Sequence, residues 1–341
     1  MPGAVGCLAC LARPRHVRHS LASMAIETTG GVIHWLLTLD GLRLRAAHWA
    51  GGARGTVLLL NGRTEFIEKY LEPVAELQAR GFAAWTLDWR GQGLSSRLLR
   101  DPVPGHAVRF GDLLDDVELL LDRLVLPGLG GGPLVVLGHS MGGHLAAHLL
   151  ARRPRLFARG ILCAPMMGFL PRHGLGGQVI RAVAVAACLV PGVAGRPGPG
   201  TSRLPPLDRP FKGNPLTGCP DRYASDAAWM REQAALQVGG ASWGWLRAAS
   251  ASMAALMRPA VVREITVPVL VLVAGDDRLV DNRATRRFAA RLPQGTLVEF
   301  PGARHELLRE HDGHRLAAWA AIDEFLTQGD NATPHFVIGR T

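Results

Sequence analysis

Short apolar segments alternate with longer segments of helical periodicity along most of the chain, and this alternation limits the folds open to it. We predict strands at Ile33–Thr38, Leu42–Trp49, Thr56–Leu60, Ala83–Leu87, Leu134–Leu137, Gly160–Cys163, Val269–Val273 and Thr296–Phe300. We predict helices at Phe66–Arg80, Gly111–Leu124, Met141–Arg152, Arg283–Arg291 and Gly313–Leu326. Because alternating strands and helices favour parallel pairing, the pattern predicts an α/β protein with a mostly parallel sheet and helices on both faces.

The alternation stops at about Met166 and resumes near Val267, which predicts an insertion that forms a cap. Its apolar stretch Val179 to Val190 is too short to cross a bilayer. That stretch could line an apolar tunnel, touch a membrane surface or form the core of the cap. We therefore divide the chain into a disordered tail or misassigned start at 1–26, a first core part at 27–165, a cap at 166–262, a second core part at 263–329 and a tail at 330–341.

Composition excludes several classes of protein. The formal net charge is +10, but the arginines are dispersed and no nucleic-acid motif is present, so we expect no nucleic-acid partner. Five cysteines are too few for a disulfide framework, which favours a reducing compartment and a cytoplasmic protein. The pair Cys7 and Cys10 lacks further ligands at metal spacing, so we expect no metal. Before Glu27 the sequence is free of acidic residues, as in a transit peptide, and Met24 is an alternative start.

A serine stands in a motif that predicts nucleophilic chemistry. The predicted strand Leu134–Leu137 continues into G-H-S-M-G-G at residues 138–143, followed by a helical pattern. Gly138 and Gly142 lack Cβ atoms and so permit a sharp turn that presents the Ser140 hydroxyl beyond the edge of the sheet. Strand, turn and helix together predict that Ser140 is a catalytic nucleophile.

A serine nucleophile needs a base, and the base needs an acid that fixes its tautomer. In this arrangement the chain order is serine, acid, histidine, with each group in a loop after a strand. His305 follows the strand Thr296–Phe300 and is the predicted base. The loop after Val269–Val273 carries the candidate acids Asp276, Asp277 and Asp281, and spacing alone does not choose among them.

The tetrahedral intermediate of such a reaction needs two backbone donors, which form an oxyanion hole. One is expected from the residue after the serine, Met141, and the other from the loop after Thr56–Leu60. In that loop Gly62 allows close approach of the backbone, so the donors would be the N–H groups of Arg63 and Met141. The Arg63 side chain is either a solvent-exposed charge, which we favour, or faces an anionic head group.

The motifs resemble those of α/β-hydrolases in the monoacylglycerol lipase and bacterial lysophospholipase L2 group, which are serine aminopeptidase S33-like hydrolases. The segment H-G-x-G-E-H-S-x-R-Y of that group aligns with residues 61–70, where the matches are Gly62, Glu65 and Tyr70. Asn61 replaces its first histidine, and Lys69 replaces its arginine. A further segment, D-x-x-G-x-G-x-S, is present as Asp88, Gly91, Gly93 and Ser95.

G-H-S-M-G-G matches the turn of that group without a change, and residues 302–306 resemble its histidine loop. Residues 275–281 resemble its acid loop, whose catalytic aspartate falls on Asp277. The resemblance implies the α/β-hydrolase fold and a serine ester hydrolase that acts on single-chain lipid esters, a lysophospholipid or a monoacylglycerol, without metal or organic cofactor. An acyltransferase with the same three residues and a non-catalytic binder of a small ligand remain alternatives. The sequence does not determine the acyl chain length or the head group of the substrate. It also leaves open the oligomeric state and any contact with a membrane surface.

Overall fold

The computed structural model describes residues 21–170, 177–198, 201, 210–327 and 336–338. Residues 1–20, with the pair Cys7 and Cys10, lie outside the described residues. The strands are β1 Gly31–Leu37, β2 Arg43–Trp49, β3 Thr56–Leu60, β4 Ala83–Leu87, β5 Leu134–His139, β6 Arg159–Cys163, β7 Val269–Ala274, β8 Gly295–Phe300 and β9 Phe336–Ile338. The helices are α1 Leu21–Thr28, α2 Leu71–Ala79, α3 Phe110–Leu120, α4 Met141–Arg152, α5 Gly177–Cys188, α6 Pro220–Glu232, α7 Trp243–Leu256, α8 Pro259–Arg263, α9 Asn282–Ala289 and α10 Asp312–Thr327.

The strands form one sheet in the order β1-β2-β4-β3-β5-β6-β7-β8-β9. The pairs β1–β2 and β2–β4 are antiparallel, and all other pairs are parallel. The predicted α/β class with a mostly parallel sheet is confirmed. Helix α1 falls partly within the segment 1–26, and the segment 330–341 contributes β9, which pairs with β8.

Strands β3, β4, β5 and β7 are buried on both faces, as expected for parallel strands covered by helices. In β3, Leu58 and Leu60 contribute to one apolar cluster, which also contains residues of α3, α4, α7 and α9. Val57 and Leu59 contribute to a second cluster, with residues of α2 and α10. This alternation along an apolar strand explains why the sheet carries two cores.

One predicted helix is wrong in its boundaries. Instead of one helix over Phe66–Arg80, the chain forms a 3-10 turn at Ile67–Tyr70 and then helix α2. Pro73 has no N–H, so in a longer helix the carbonyl of Lys69 would lose its partner. In the structure that carbonyl accepts a hydrogen bond from the Arg309 guanidinium. Pro73 lies instead in the first turn of α2, where a missing N–H costs little.

A buried ion pair holds the loop that follows β4. Arg45 on β2 contacts Asp88 at 2.6 Å and Glu68 at 2.6 Å, and all three side chains are fully buried. Asp88 also accepts hydrogen bonds from the backbone N–H of Ile67 and Leu94. These contacts join β2, the 3-10 turn and the loop after β4.

Helices α5 to α8 lie between β6 and β7, in the segment expected to form a cap. Helix α5 corresponds to most of the apolar stretch at 179–190 and packs against α7. Several of its apolar side chains are nevertheless exposed: Val179, Val183 and Val185, together with Leu189 just after the helix. Among the described helices, none is both long and apolar enough to cross a membrane.

Two histidines on α4 make the stability of the fold depend on pH. The Nε2 atoms of His144 and His148 lie 2.7 and 3.0 Å from the hydroxyl oxygen of Ser252 on α7. Burial lowers the pKa of His144 well below its ordinary value and that of His148 to about 4. Unfolded histidines titrate near pH 6.5, so between about pH 6.5 and 4 the unfolded chain binds more protons than the folded one. Stability is therefore present above that window and is lost as the pH falls through it.

We expect His148 alone to reduce the free energy of unfolding by about 2 kcal/mol between pH 7 and pH 5. Thermal unfolding of the wild type and of His148→Gln at both pH values measures this, and the variant should lose less stability on acidification. The exposed His311 provides the matched control, His311→Gln, which should behave as the wild type. Equal acid sensitivity of wild type and His148→Gln would contradict the assignment.

Candidate active site

Ser140 lies at the junction of β5 and α4 in a backbone conformation that non-glycine residues rarely adopt, with φ 53° and ψ −114°. A Cβ atom on Gly138 would lie 2.5 Å from the carbonyl oxygen of Gly142, and one on Gly142 would lie 2.1 Å from that of Leu60. Both positions therefore require glycine. The backbone N–H of Ser140 donates to the carbonyl of Cys163 at 3.0 Å. The turn thus holds Ser140, half-buried, at the carboxyl edge of the sheet.

His305 and Asp277 form a close pair. The Nδ1 atom of His305 lies 2.6 Å from Oδ2 of Asp277, and the two side chains are 4% and 0% exposed. The other oxygen of Asp277 accepts from the backbone N–H of Leu279 at 2.8 Å and of Val280 at 3.1 Å. Burial acts to raise the pKa of Asp277, but His305 and these N–H groups outweigh it and hold the pKa below its ordinary value. The pair is built so that the carboxyl group stays ionised beside the imidazole.

The other two aspartates of the loop lie elsewhere. The Asp276 side chain is 60% exposed, near the Arg278 guanidinium at 3.9 Å. Asp281 is the N-cap residue of α9, and its carboxylate accepts from the backbone N–H of Arg283 at 2.9 Å. Asp277 is therefore the member of the three that contacts His305.

His139 connects the turn at Ser140 to the histidine loop. Its Nε2 atom lies 3.2 Å from the backbone carbonyl oxygen of His305, and the two ring centroids are 4.8 Å apart. The turn at Ser140 thus contacts the loop of His305, and His305 in turn contacts Asp277. The sequence analysis assigned no role to His139, although its position directly before Ser140 indicated that it would lie close to the site.

The loop after β3 is held by its own side chains. The N–H of Gly62 donates to the carboxylate of Glu65, so this amide is already engaged. The amide of Asn61 donates through Nδ2 to the carbonyl of Leu87 at 2.9 Å, and its backbone carbonyl accepts from the Trp89 indole at 2.9 Å. Asn61 therefore braces the loop at the position where the resembling group has a histidine. Arg63 follows in this loop, and Met141 is the first residue of α4, where amides have no partner within the helix.

The Arg63 side chain contacts the cap. Its guanidinium donates to the carbonyl of Gly239 at 3.1 Å and lies 5.4 Å from the centre of the Trp245 ring. Arg63 is half-buried. This corrects the expectation of a solvent-exposed charge.

Within the part of the chain that the structure describes, no group of three or more histidine, cysteine, aspartate or glutamate side chains is placed to hold a metal ion. The groups that the structure places in and around the Ser140 turn are the serine hydroxyl, the imidazole of His305, the carboxylate of Asp277 and backbone amides. These are the groups that acyl transfer through a serine nucleophile requires.

Comparison of the sequence with known proteins gives a consistent result. Lysophospholipase L2 of Escherichia coli (strain K12) is 33% identical over 294 residues, which cover 84% of this chain and 83% of that protein. Monoglyceride lipase of Homo sapiens is 28% identical over 281 residues, which cover 81% of this chain and 84% of that protein.

A solved structure agrees in fold. A soluble variant of monoglyceride lipase from Saccharomyces cerevisiae, in complex with a substrate analog, superposes with a TM-score of 0.68 at 20% identity. The superposition covers 89% of this chain and 96% of that structure. The family model described as "Serine aminopeptidase, S33" matches residues 51–312, more than half of the chain. The chain therefore belongs to the serine aminopeptidase S33 family, with the α/β-hydrolase fold.

Proposed function

We propose that the protein is a serine carboxylic-ester hydrolase that acts on single-chain lipid esters, a lysophospholipid or a monoacylglycerol. The observation that carries the proposal is the buried Asp277–His305 pair, whose loop contacts the residue next to Ser140. A pure binding protein has no use for an ionised carboxylate held on an imidazole beside a strained serine turn. The names of the relatives, lysophospholipase L2 and monoglyceride lipase, support the substrate class.

In the proposed mechanism the Ser140 hydroxyl attacks the ester carbonyl carbon and His305 accepts its proton. Because Nδ1 of His305 bonds Asp277, Nε2 is the nitrogen left for proton transfer. Asp277 stabilises the imidazolium that forms, and the N–H groups of Arg63 and Met141 stabilise the oxyanion. The tetrahedral intermediate then collapses, and His305 returns the proton to the departing alcohol. Water, activated by His305, attacks the acyl-enzyme and releases the fatty acid.

Contact with lipid is proposed for the cap. Helix α5 exposes Val179, Val183 and Val185 and carries Arg181 as its charged residue, a combination that suits the surface of an anionic membrane. A monomeric lipid ester is poorly soluble in water, so an enzyme that takes it from a membrane or micelle gains from such a surface. The described cysteines Cys163, Cys188 and Cys219 are unpaired, which suits the reducing cytoplasm.

We expect Ser140→Ala to lose nearly all hydrolysis of lysophosphatidylcholine and monoacylglycerol, by a factor on the order of 10⁴ or more, because the nucleophile is removed. Release of fatty acid measures the loss, and unchanged thermal unfolding shows that the fold is kept. The wild type should also form a covalent adduct with a fluorophosphonate that Ser140→Ala does not form. Turnover that persists in the variant would rule out the serine mechanism.

The three aspartates of the acid loop provide a matched set of isosteric changes. Asp277→Asn should lower kcat by ~10⁴, because an amide at this position favours the wrong tautomer of His305. Asp281→Asn should cost at most about 1 kcal/mol of stability through the cap of α9 and leave turnover nearly intact. Asp276→Asn, at an exposed side chain, serves as the control. Steady-state kinetics and melting temperatures of the three variants test this, and loss of turnover in Asp281→Asn with an active Asp277→Asn would refute the assignment.

A further inference from the structure

A cluster of charged side chains is buried beside the loop after β3, residues 61–66, which we call the oxyanion loop because it carries the proposed donor Arg63, and it joins four parts of the chain. We call it the buried charge cluster: Glu65, Lys69 and Tyr70 from the loop and turn after β3, His139 from the serine turn, Asp226 from cap helix α6, and Glu306 and Arg309 from the loop after β8. No ionisable side chain among those that form these ion pairs is more than 13% exposed. A charge that is this deeply buried destabilises the fold unless an opposite charge compensates it.

The permanent cations of the cluster already engage its carboxylates. The ammonium of Lys69 lies 2.6 Å from Glu306, 2.9 Å from Asp226 and 3.1 Å from Glu65. The guanidinium of Arg309 donates to the other oxygen of Asp226 at 2.6 Å. Burial raises the pKa of Asp226, but since each of its oxygens faces a cation, neither has a place for a proton. Asp226 is therefore ionised.

The charges do not balance without His139. The carboxylates Glu65, Asp226 and Glu306 supply three negative charges, and Lys69 and Arg309 supply two positive charges. One buried negative charge is left over. His139 is in contact with Glu65 and is the member of the cluster that can supply the missing positive charge near neutral pH.

The hydrogen bonds of His139 favour the same protonation state. Its Nδ1 atom lies 3.3 Å from Oε2 of Glu65 and 3.2 Å from the hydroxyl oxygen of Tyr70, which itself donates to Glu65 at 2.6 Å. Its Nε2 atom lies 3.2 Å from the carbonyl oxygen of His305, which can only accept. A neutral imidazole has one N–H and can donate on one side only, whereas an imidazolium donates on both. Burial acts to lower the pKa of His139, but the charge of Glu65 and its hydrogen bond outweigh it and raise the pKa.

We propose that His139 stays an imidazolium at neutral and weakly basic pH and acts as a positioning residue for the oxyanion loop and the His305 loop. Through Glu65, which accepts the N–H of Gly62, it fixes the backbone that leads to Arg63. Through the carbonyl of His305 it fixes the loop of the base. Asp226 on α6 extends the same network into the cap. The positioning role rests on the proposed function, whereas the protonation state does not.

The protonation state can be measured directly. Histidine labelled with ¹⁵N in the full-length protein, assigned by triple-resonance experiments and checked against His139→Gln, reports whether each ring nitrogen carries a proton. We expect both nitrogens of His139 to remain protonated at pH 8, although the ring of His305 lies only 4.8 Å away. A neutral tautomer of His139 at pH 7 would overturn the proposal even if the enzyme hydrolyses esters by the proposed mechanism.

The positioning role is tested by kinetics. His139→Gln should lower kcat on the order of 10²-fold through misplacement of the two loops, with KM within about threefold of the wild type. His311→Gln, at an exposed histidine, should leave both constants unchanged. An unchanged kcat in His139→Gln would overturn the positioning role. Failure of the proposed serine mechanism would be seen separately, as turnover that persists in Ser140→Ala.

The charge balance gives an independent test that does not depend on activity. His139→Gln leaves an uncompensated buried negative charge, and adding Asp226→Asn removes it. We therefore expect the double variant to have a higher melting temperature than His139→Gln alone, although Asp226→Asn alone lowers it. A double variant in which the two losses simply add would show that His139 does not carry the balancing charge.

Discussion

The left-handed backbone at Ser140 is the constraint on which the rest of the site depends. Non-glycine residues pay a free-energy cost for such a conformation, so surrounding contacts must hold it. Here the N–H of Ser140 is bound by the end of β6, and α4 approaches so closely that Gly142 nearly touches the carbonyl of Leu60 at the end of β3. The strands on both sides of β5 thus take part in the turn. The neighbouring strands of the parallel sheet therefore supply the contacts that hold Ser140 in its strained backbone conformation.

Local sequence patterns predicted the strands of the sheet well, because the apolar character of a buried strand is visible within a short segment of sequence. All the predicted strands are present, with ends within two residues of those expected, and Met141–Arg152 is a helix with the predicted bounds. The choice of Asp277 needed the resemblance to a family, since spacing did not separate it from Asp276 and Asp281. The structure separates the three by what each carboxylate contacts.

Contacts between distant parts of the chain could not be predicted in this way. Lys69 and Glu306 are 237 residues apart and form an ion pair of 2.6 Å. The periodicity of the sequence does not indicate which distant residues form an ion pair. The sequence also does not distinguish a buried lysine from a lysine on the surface. The same limit explains the error at Phe66–Arg80, because the partner of the Lys69 carbonyl is Arg309, far along the chain. Asn61 illustrates it again: its role as a brace depends on Leu87 and Trp89, which approach it only in the fold.

The contact of Arg63 with the cap has a consequence for how this protein can be altered. The guanidinium of Arg63 rests on the carbonyl of Gly239 and on Trp245, while its backbone belongs to the loop beside the serine. In a chimera whose cap came from a relative, Arg63 would lose both of these contacts. They would be kept only if the relative's cap had a backbone carbonyl and an aromatic ring at the same two positions. The cap is therefore not an interchangeable module: its inner surface and the loop after β3 have to be inherited, or transplanted, together.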